Sequence, residues 1–278
     1  MLIPRRTVTG TVTGTNVGAC WVEGPAAFVA VLVVAAPLSV ALGATQGVSK
    51  LPAEWVGPTP DVPGATRSTS SNWAGYVDVG RSGSFTDVRA SWIEPSISCS
   101  PSLSPKNDDS FRIGLDGVTT TSKTVEQTGT EGICKGTTVR YDAWYEMYPK
   151  YAVWALPVDA GDQISAEVAW VGGMKFVLTL TDTTSGRRLH KTPSAPLKAV
   201  RSSAEWVAEN PAECNNYLEN FGTVTFSDAS ATKNGITGGI GAFANQAITM
   251  IAHNHGVMSQ PSALGGNGSS FSVAWRSS

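Results

Sequence analysis

The sequence predicts an all-β fold, either a sandwich or a barrel, from three observations. Charged residues make up only 15% of the 278 residues, against about 25% in typical globular domains, which disfavours long charged helices. Gly (29), Pro (16) and Trp (9) are abundant, as in chains with many turns and aromatic strands. Short runs of β-type residues alternate with Gly, Asn, Asp and Pro breaks, and no convincing helical period is present.

Ten segments carry this strand pattern, and together they predict one domain over residues 70–278. The predicted strands are 73–79, 88–93, 111–115, 139–148, 163–171, 175–181, 204–208, 221–226, 247–252 and 271–275. No break in composition divides the region, and no internal repeat stands out.

Strand alternation assigns side chains to faces. In residues 139–146, one face is polar and carries an aromatic: Arg140, Asp142, Trp144 and Glu146. This face suits either the wall of a binding groove or an ordinary solvated surface. In residues 203–209, the faces are Ser203, Glu205, Val207 and Glu209 on one side and Ala204, Trp206 and Ala208 on the other.

The first 43 residues are predicted to be a secretory signal peptide. Arg5 and Arg6 precede an uncharged apolar stretch at 26–44 that is broken by Pro37 and ends in small residues, which indicates cleavage after Gly43. An uncleaved membrane anchor is the alternative. Residues 44–69 are predicted to be a flexible lead or a short pro-segment. The mature protein is therefore expected to be secreted and to have no membrane contact after cleavage.

Composition and motifs exclude several classes of function. With 20 Lys and Arg against 22 Asp and Glu, the chain lacks the positive charge of a nucleic-acid-binding protein. HExxH, GxSxG, Walker and GxGxxG motifs are absent, and the pair His253 and His255 is a weak metal signal. Carboxylate and amide chemistry remains, from side chains in or beside the strand runs: Glu126, Gln127, Glu131, Glu146, Glu205 and Glu209.

Six segments occur in an order that resembles a known family. They are NWAGY at 72–76, GLDG at 114–117, QTG at 127–129, YDAWYEMYP at 141–149, AEWV at 204–207 and FGTVTF at 221–226. Together they resemble the glutamic peptidases, or eqolisins. The resemblance implies a secreted acid endopeptidase with an antiparallel two-sheet β-sandwich of the concanavalin A-like or jelly-roll type. It also implies no cofactor or metal, polypeptide substrates and a monomer.

The same resemblance assigns a catalytic dyad to Gln127 and Glu205. An ionised Glu205 would take a proton from the attacking water, and the Gln127 amide would donate to the oxyanion. A carboxyl with an ordinary pKa near ~4.3 can do this in acid medium. Asp116, Trp144 and Glu146 match family positions near the groove, and they join the strand carboxylate Glu131 as candidates for substrate binding.

Two further expectations come from the resemblance. Arg112 stands where the family typically has Trp, which changes the aromatic wall of the groove. Of the four cysteines, Cys20 lies in the signal segment, Cys99 is expected to pair with Cys134, and Cys214 is expected to be free.

Two other functions remain open at this point. A glycoside hydrolase would use Glu146 and Glu205 as its carboxylate pair, and a non-catalytic binding module would stack its aromatic residues on carbohydrate or protein. Sandwiches host all of these functions.

Overall fold

The computed structural model describes residues 55–59, 66–100, 107–118, 122–211 and 217–278. The predicted signal peptide at 1–43, most of the predicted lead at 44–69, and Cys214 lie outside these residues. Within the described residues, no helix has the length and apolar character needed to cross a membrane.

The described residues form seventeen strands and a single 3-10 turn, Ile240–Ala242. The strands are β1 (Trp55–Thr59), β2 (Thr66–Ser70), β3 (Trp73–Val79), β4 (Phe85–Ile93), β5 (Asn107–Asp116), β6 (Val125–Lys135), β7 (Thr138–Tyr148), β8 (Val153–Val158), β9 (Gln163–Gly172), β10 (Lys175–Asp182), β11 (Arg188–Lys191), β12 (Ser203–Glu209), β13 (Thr223–Lys233), β14 (Ile236–Gly239), β15 (Asn245–Ile251), β16 (Val257–Pro261) and β17 (Phe271–Trp275). The all-β prediction is confirmed.

The strands belong to a single hydrogen-bonded network that nearly closes on itself. One run of neighbours is β8-β7-β6-β5-β12-β3-β15, and another is β14-β13-β4-β9-β10-β11. Strand β13 joins the two runs, because its first half pairs with β17 and its second half pairs with β4. Pairing is antiparallel except between β15 and β2. The pairing therefore supports the all-β class, and the two-sheet sandwich stays a prediction.

Strand β12 shows how the sequence separates core from site. Ala204, Trp206 and Ala208 join the main hydrophobic core, and the Trp206 indole donates a hydrogen bond to the Arg89 carbonyl at 2.8 Å. The alternate residues of β12 point to the opposite face, and Glu205 is among them. The assignment of faces from alternation is confirmed for this strand, as it is for β7, where Tyr141 and Ala143 lie in the core.

Seven of the seventeen strands have no counterpart among the predicted segments: β1, β2, β6, β8, β11, β14 and β16. The physical reason is clearest in β6. Its sequence, VEQTGTEGICK, contains two glycines and shows no polar–apolar alternation. Almost all of its residues, on both faces, are buried, and β6 lies between β5 and β7 in the sheet. A polar strand that is buried on both faces has no periodic signal to detect.

A disulfide joins the segment before β5 to the end of β6. Cys99 and Cys134 are bonded, with their Cα atoms 5.6 Å apart, so the predicted pairing is confirmed. The bond closes a loop with a sequence separation of 35 residues that contains β5 and most of β6. It therefore ties together two strands that carry site residues.

Several carboxyl groups are buried in this scaffold away from solvent. Burial raises the pKa of Asp78, Glu94 and Glu126 to about 8 in each case, and it raises the pKa of Asp109 well above its ordinary value. Lys233 opposes the shift at Asp78, and hydrogen bonds from Thr130 and Trp92 oppose it at Glu94. The folded state therefore binds these protons more tightly than the unfolded chain does.

We expect the protein to be most stable in acid and to lose stability towards alkaline pH. A carboxyl with a raised folded-state pKa contributes stability that is fully present below its unfolded pKa, near 4 to 4.5, and is lost as pH rises through about 8. Urea denaturation at a series of pH values measures this. Glu126→Gln removes one ionisation and should weaken the pH dependence, whereas stability that rises over this range would contradict the prediction.

We expect Cys99→Ser with Cys134→Ser to lower the free energy of unfolding by about 4 kcal/mol, from the entropy of the 35-residue loop. Thermal or urea denaturation of the double variant beside the wild type measures the loss. An unchanged midpoint would mean that the bond does not constrain the unfolded chain.

Candidate active site

Four residues form a row across adjacent strands. Glu205 on β12 is directly opposite Gly114 on β5, Gly114 is opposite Gln127 on β6, and Gln127 is opposite Glu146 on β7. Directly opposite residues in antiparallel strands share a face. Glu205 and Gln127 therefore lie on one face, with their backbones two strand spacings apart, roughly 10 Å.

Gly114 keeps space open between the two side chains. A β-carbon at this position would lie 3.1 Å from the Gln127 Cβ atom and 3.5 Å from the Arg112 Nη1 atom. Arg112 Nη1 in turn contacts Glu205. The missing side chain of Gly114 therefore corresponds to the gap between Gln127 and the Arg112–Glu205 pair.

Glu205 is buried, with 1% of its surface exposed, and its two oxygens have different surroundings. Oε2 accepts a hydrogen bond from Arg112 Nη1 at 3.0 Å. Oε1 is buried and accepts no hydrogen bond from any described residue. It lies beside Gly117, where a β-carbon would come within 2.9 Å of it. One oxygen is therefore held, and the other is available to a ligand.

Burial raises the pKa of Glu205 to about 7. The Arg112 guanidinium opposes this shift by its charge and its hydrogen bond, while Glu209 and Asp116 add to it. The sequence-based expectation of an ordinary carboxyl pKa is therefore wrong for this environment, because the strand packing removes Glu205 from water.

The Gln127 side chain is oriented by its neighbour in the row. Its Nε2 donates a hydrogen bond to Glu146 Oε2, which assigns the amide nitrogen to the side of β7. Its Oε1 is buried and accepts no hydrogen bond from the described part of the chain. An amide NH₂ carries two hydrogens, so Nε2 keeps one donor beyond its bond to Glu146.

Trp144 and Glu131 lie in the next rows of the same face. Trp144 is opposite Gly129, and Glu131 is opposite Ser110. Both side chains are buried, and the Trp144 indole donates to Ser110 Oγ at 3.2 Å. The structure thus places Glu146 beside Gln127, Trp144 one row away and Glu131 two rows away on the same face, and their contact with substrate stays a prediction.

The Asp116 side chain holds a backbone loop by hydrogen bonds. It ends β5 with a positive φ of 68°, and its carboxylate accepts hydrogen bonds from the backbone amides of Arg201 at 2.6 Å and Ser202 at 2.8 Å. These two residues immediately precede β12. Asp116 therefore fixes the start of the strand that carries Glu205, and a contact with substrate is a prediction without support from these bonds.

Sequence reasoning missed the ionic partners of Glu205. Arg112 bonds to Glu205 and also to Glu209, although the sequence suggested only a change in an aromatic wall. The signal lies in the strand pairing. Arg112 is opposite Val207, and Glu205 and Glu209 are each two residues from Val207.

An apolar cluster borders the same face: Trp73, Val77, Val118, Val207 and Ile248. Among the described residues, no group of three or more His, Cys, Asp or Glu side chains could hold a metal ion.

The model of the peptidase A4 family matches residues 71–275. The chain belongs to the peptidase A4 family. By this membership it is a glutamic endopeptidase, as the resemblance implied.

Named relatives agree with this membership. Aspergillopepsin-2 of Aspergillus niger is 31% identical over 192 residues, which are 61% of this chain and 67% of the relative. Scytalidopepsin B of Scytalidium lignicola is 29% identical over 181 residues, 60% of this chain and 66% of the relative. The chain thus spans about two thirds of each relative's length.

Solved structures resemble the fold. Scytalido-glutamic peptidase with a peptide-based transition state analog superposes with a TM-score of 0.61 at 25% identity, covering 74% of this chain and 98% of that one. Aspergilloglutamic peptidase from Aspergillus niger superposes with a TM-score of 0.53 at 28% identity, covering 61% of this chain and 99% of that one.

We expect Gly114→Ala to lower kcat/KM for peptide hydrolysis by about 10²-fold, because its methyl group would enter the gap between Gln127 and Glu205 and displace reacting groups. Gly266→Ala is the matched control, since a β-carbon at Gly266 meets no atom within 4 Å. Steady-state kinetics of both variants test the role of the gap. Full activity of Gly114→Ala would show that the gap is not used.

Proposed function

We propose that this chain hydrolyses internal peptide bonds with Gln127 and Glu205 as its catalytic dyad. One observation carries the proposal. The two side chains lie in one row beside the same glycine, and each has a buried Oε1 that accepts no hydrogen bond from a described residue. A water molecule has two O–H donors, and in this proposal a single water donates to both oxygens. Two buried acceptors of this kind favour a bound water or substrate, because burying an acceptor without a hydrogen bond costs free energy.

The arrangement supports a complete hydrolytic cycle. Ionised Glu205 accepts a proton from the water through Oε1 while the water oxygen attacks the carbonyl carbon of the scissile bond. The carbonyl oxygen becomes an oxyanion and accepts a hydrogen bond from the second Nε2 hydrogen of Gln127, a contribution of roughly 3–4 kcal/mol to the barrier. Glu205 then donates its proton to the amide nitrogen, the C–N bond breaks, and a carboxylic acid and an amine leave.

Glu146 has a supporting part in this cycle. By accepting from Nε2, it keeps the Gln127 carbonyl oxygen directed towards the water and the amide nitrogen towards the oxyanion. This use of Glu146 argues against the glycoside hydrolase alternative. In that alternative Glu146 and Glu205 would act as a pair, but three strand spacings, about 14 Å, separate their backbones, and Gln127 lies between them.

The surroundings favour weakly acid to neutral pH. Glu205 must be ionised to act as the base, and its pKa is raised to about 7. Burial also raises the pKa of the scaffold carboxyls Asp78, Glu94 and Glu126 to about 8. Activity is therefore expected to increase with pH as Glu205 ionises.

We also propose that the protein acts outside the cell. The apolar stretch at 26–44 is typical of a signal peptide, and the Cys99–Cys134 disulfide is of the kind that persists in oxidising compartments. Its substrates are then extracellular polypeptides.

We expect Glu205→Gln and Gln127→Ala each to lower kcat/KM by about 10²–10⁴-fold, since one removes the base and the other removes the oxyanion donor. The double variant should be little worse than either single variant, because the two groups act on one water. Denatured casein and an oligosaccharide panel, assayed across acid and neutral pH, separate a peptidase from a glycosidase.

Glu167→Gln makes the same chemical change on a partly exposed side chain and should retain activity. If Glu205→Gln hydrolyses casein at the wild-type rate, the dyad is wrong. If the wild type cleaves an oligosaccharide and not casein, the proposed activity is wrong.

A further inference from the structure

Arg112 lies between two carboxylates on the face that carries the dyad. It is opposite Val207 on β12, and Glu205 and Glu209 lie two residues to either side of Val207. Its Nη1 donates to Glu205 Oε2 at 3.0 Å, and its Nε donates to Glu209 Oε2. No more than 4% of any of these three residues is exposed. The guanidinium therefore forms a buried bridge between two side chains of β12.

We propose that Arg112, braced by Glu209, is the positioning residue of Glu205: it holds Oε2 and favours the ionised carboxylate, so that Oε1 is the oxygen presented to the reacting water. This inference rests on the proposed role of Glu205 as the base. Arg112 acts through Glu205 and does not bind substrate, because its guanidinium is buried and bonded to both carboxylates.

The charges around Glu205 explain why such a residue is needed. Strand β5 contributes Arg112 and Asp116, β12 contributes Glu209, and the neutral Gln127 separates Glu205 from Glu146 on β7. On β3, the residue opposite Glu205 is the apolar Val77. Arg112 is thus the cation that faces Glu205 from these strands, among three other carboxylates. Without it, burial and like charges would both favour the protonated and inactive form.

Glu209 has two opposing effects in this bridge. It orients the guanidinium by accepting from Nε, and its negative charge disfavours ionisation of Glu205. Glu209→Gln keeps a side-chain oxygen that can accept from Nε and removes only the charge. Replacing Arg112 and neutralising Glu209 should therefore shift the ionisation of Glu205 in opposite directions. A purely structural bridge would give loss of stability in both variants and no such opposition.

The test is the pH dependence of kcat/KM for Arg112→Gln, Arg112→Lys and Glu209→Gln. We expect Arg112→Gln to shift the rising limb of the pH profile, where Glu205 ionises, to higher pH by about one unit or more. At a fixed pH below the limb this shift is a tenfold loss of kcat/KM. Glu209→Gln should shift the limb to lower pH. Arg112→Lys should keep the limb close to that of the wild type with a lower kcat, because an ammonium retains the charge but not the two-armed geometry.

Arg89→Gln is the matched control. Arg89 also bridges two carboxylates, Asp87 at 2.8 Å and Glu167 at 2.6 Å, but its side chain is 55% exposed and it lies on β4. Its variant should leave the limb unmoved. If Arg112→Gln fails to fold, Glu209→Gln decides the matter: an unchanged or upward shift of its limb overturns the proposal.

Carbon-13 NMR of labelled glutamate carboxyls gives a readout that does not need activity, with the Glu205 signal assigned by its loss in Glu205→Gln. If none of the proteins hydrolyses peptides but this signal titrates in the expected opposite directions, the proposed function fails and the role of Arg112 stands. If the proteins are active and neither the limb nor the signal moves in the variants, the role of Arg112 is wrong and the dyad stands.

Discussion

The site depends on the hydrogen-bond register between β12, β5 and β6. This register puts Glu205, Gly114 and Gln127 in one row, and it also sends Trp206 into the main core. Because side chains alternate along a strand, a slip of one residue would move Trp206 to the face of the site and Glu205 into the main core. The same register therefore fixes both the packing of the core and the placement of Glu205 and Gln127, on the two faces of the sheet.

Burial affects the carboxyls of the scaffold and of the site differently. It raises the pKa of Asp78, Glu94 and Glu126 to about 8 and that of Glu205 to about 7. Glu205 has a guanidinium within hydrogen-bond distance, which offsets part of the cost of burying its charge. Of these four carboxyls, Glu205 is the one bonded to a guanidinium, so its ionised form has a cation beside it.

The sequence predicts much of this arrangement, and the limits of that prediction are physical. Alternation alone predicts that Glu205 and Trp206 lie on different faces of β12, because this strand has a core face and a polar face. Gln127 was one of six candidates from the residues and could be singled out only through resemblance, since β6 is polar, contains two glycines and is buried on both faces. The bridge of Arg112 was not predictable, because it depends on which residue of β12 lies opposite it across the ladder, a long-range pairing that no local pattern encodes.

The Cys99–Cys134 bond has a further consequence for a chain that cuts polypeptides. The covalent ring it closes contains Arg112 and Gly114 on β5 and Gln127 on β6. If another copy of the enzyme cleaved one peptide bond inside this ring, the two fragments would stay joined through the sulfur atoms. The ladder between β5, β6 and β12 could then hold the nicked chain together, so a single cut in this region need not separate the two halves of the site.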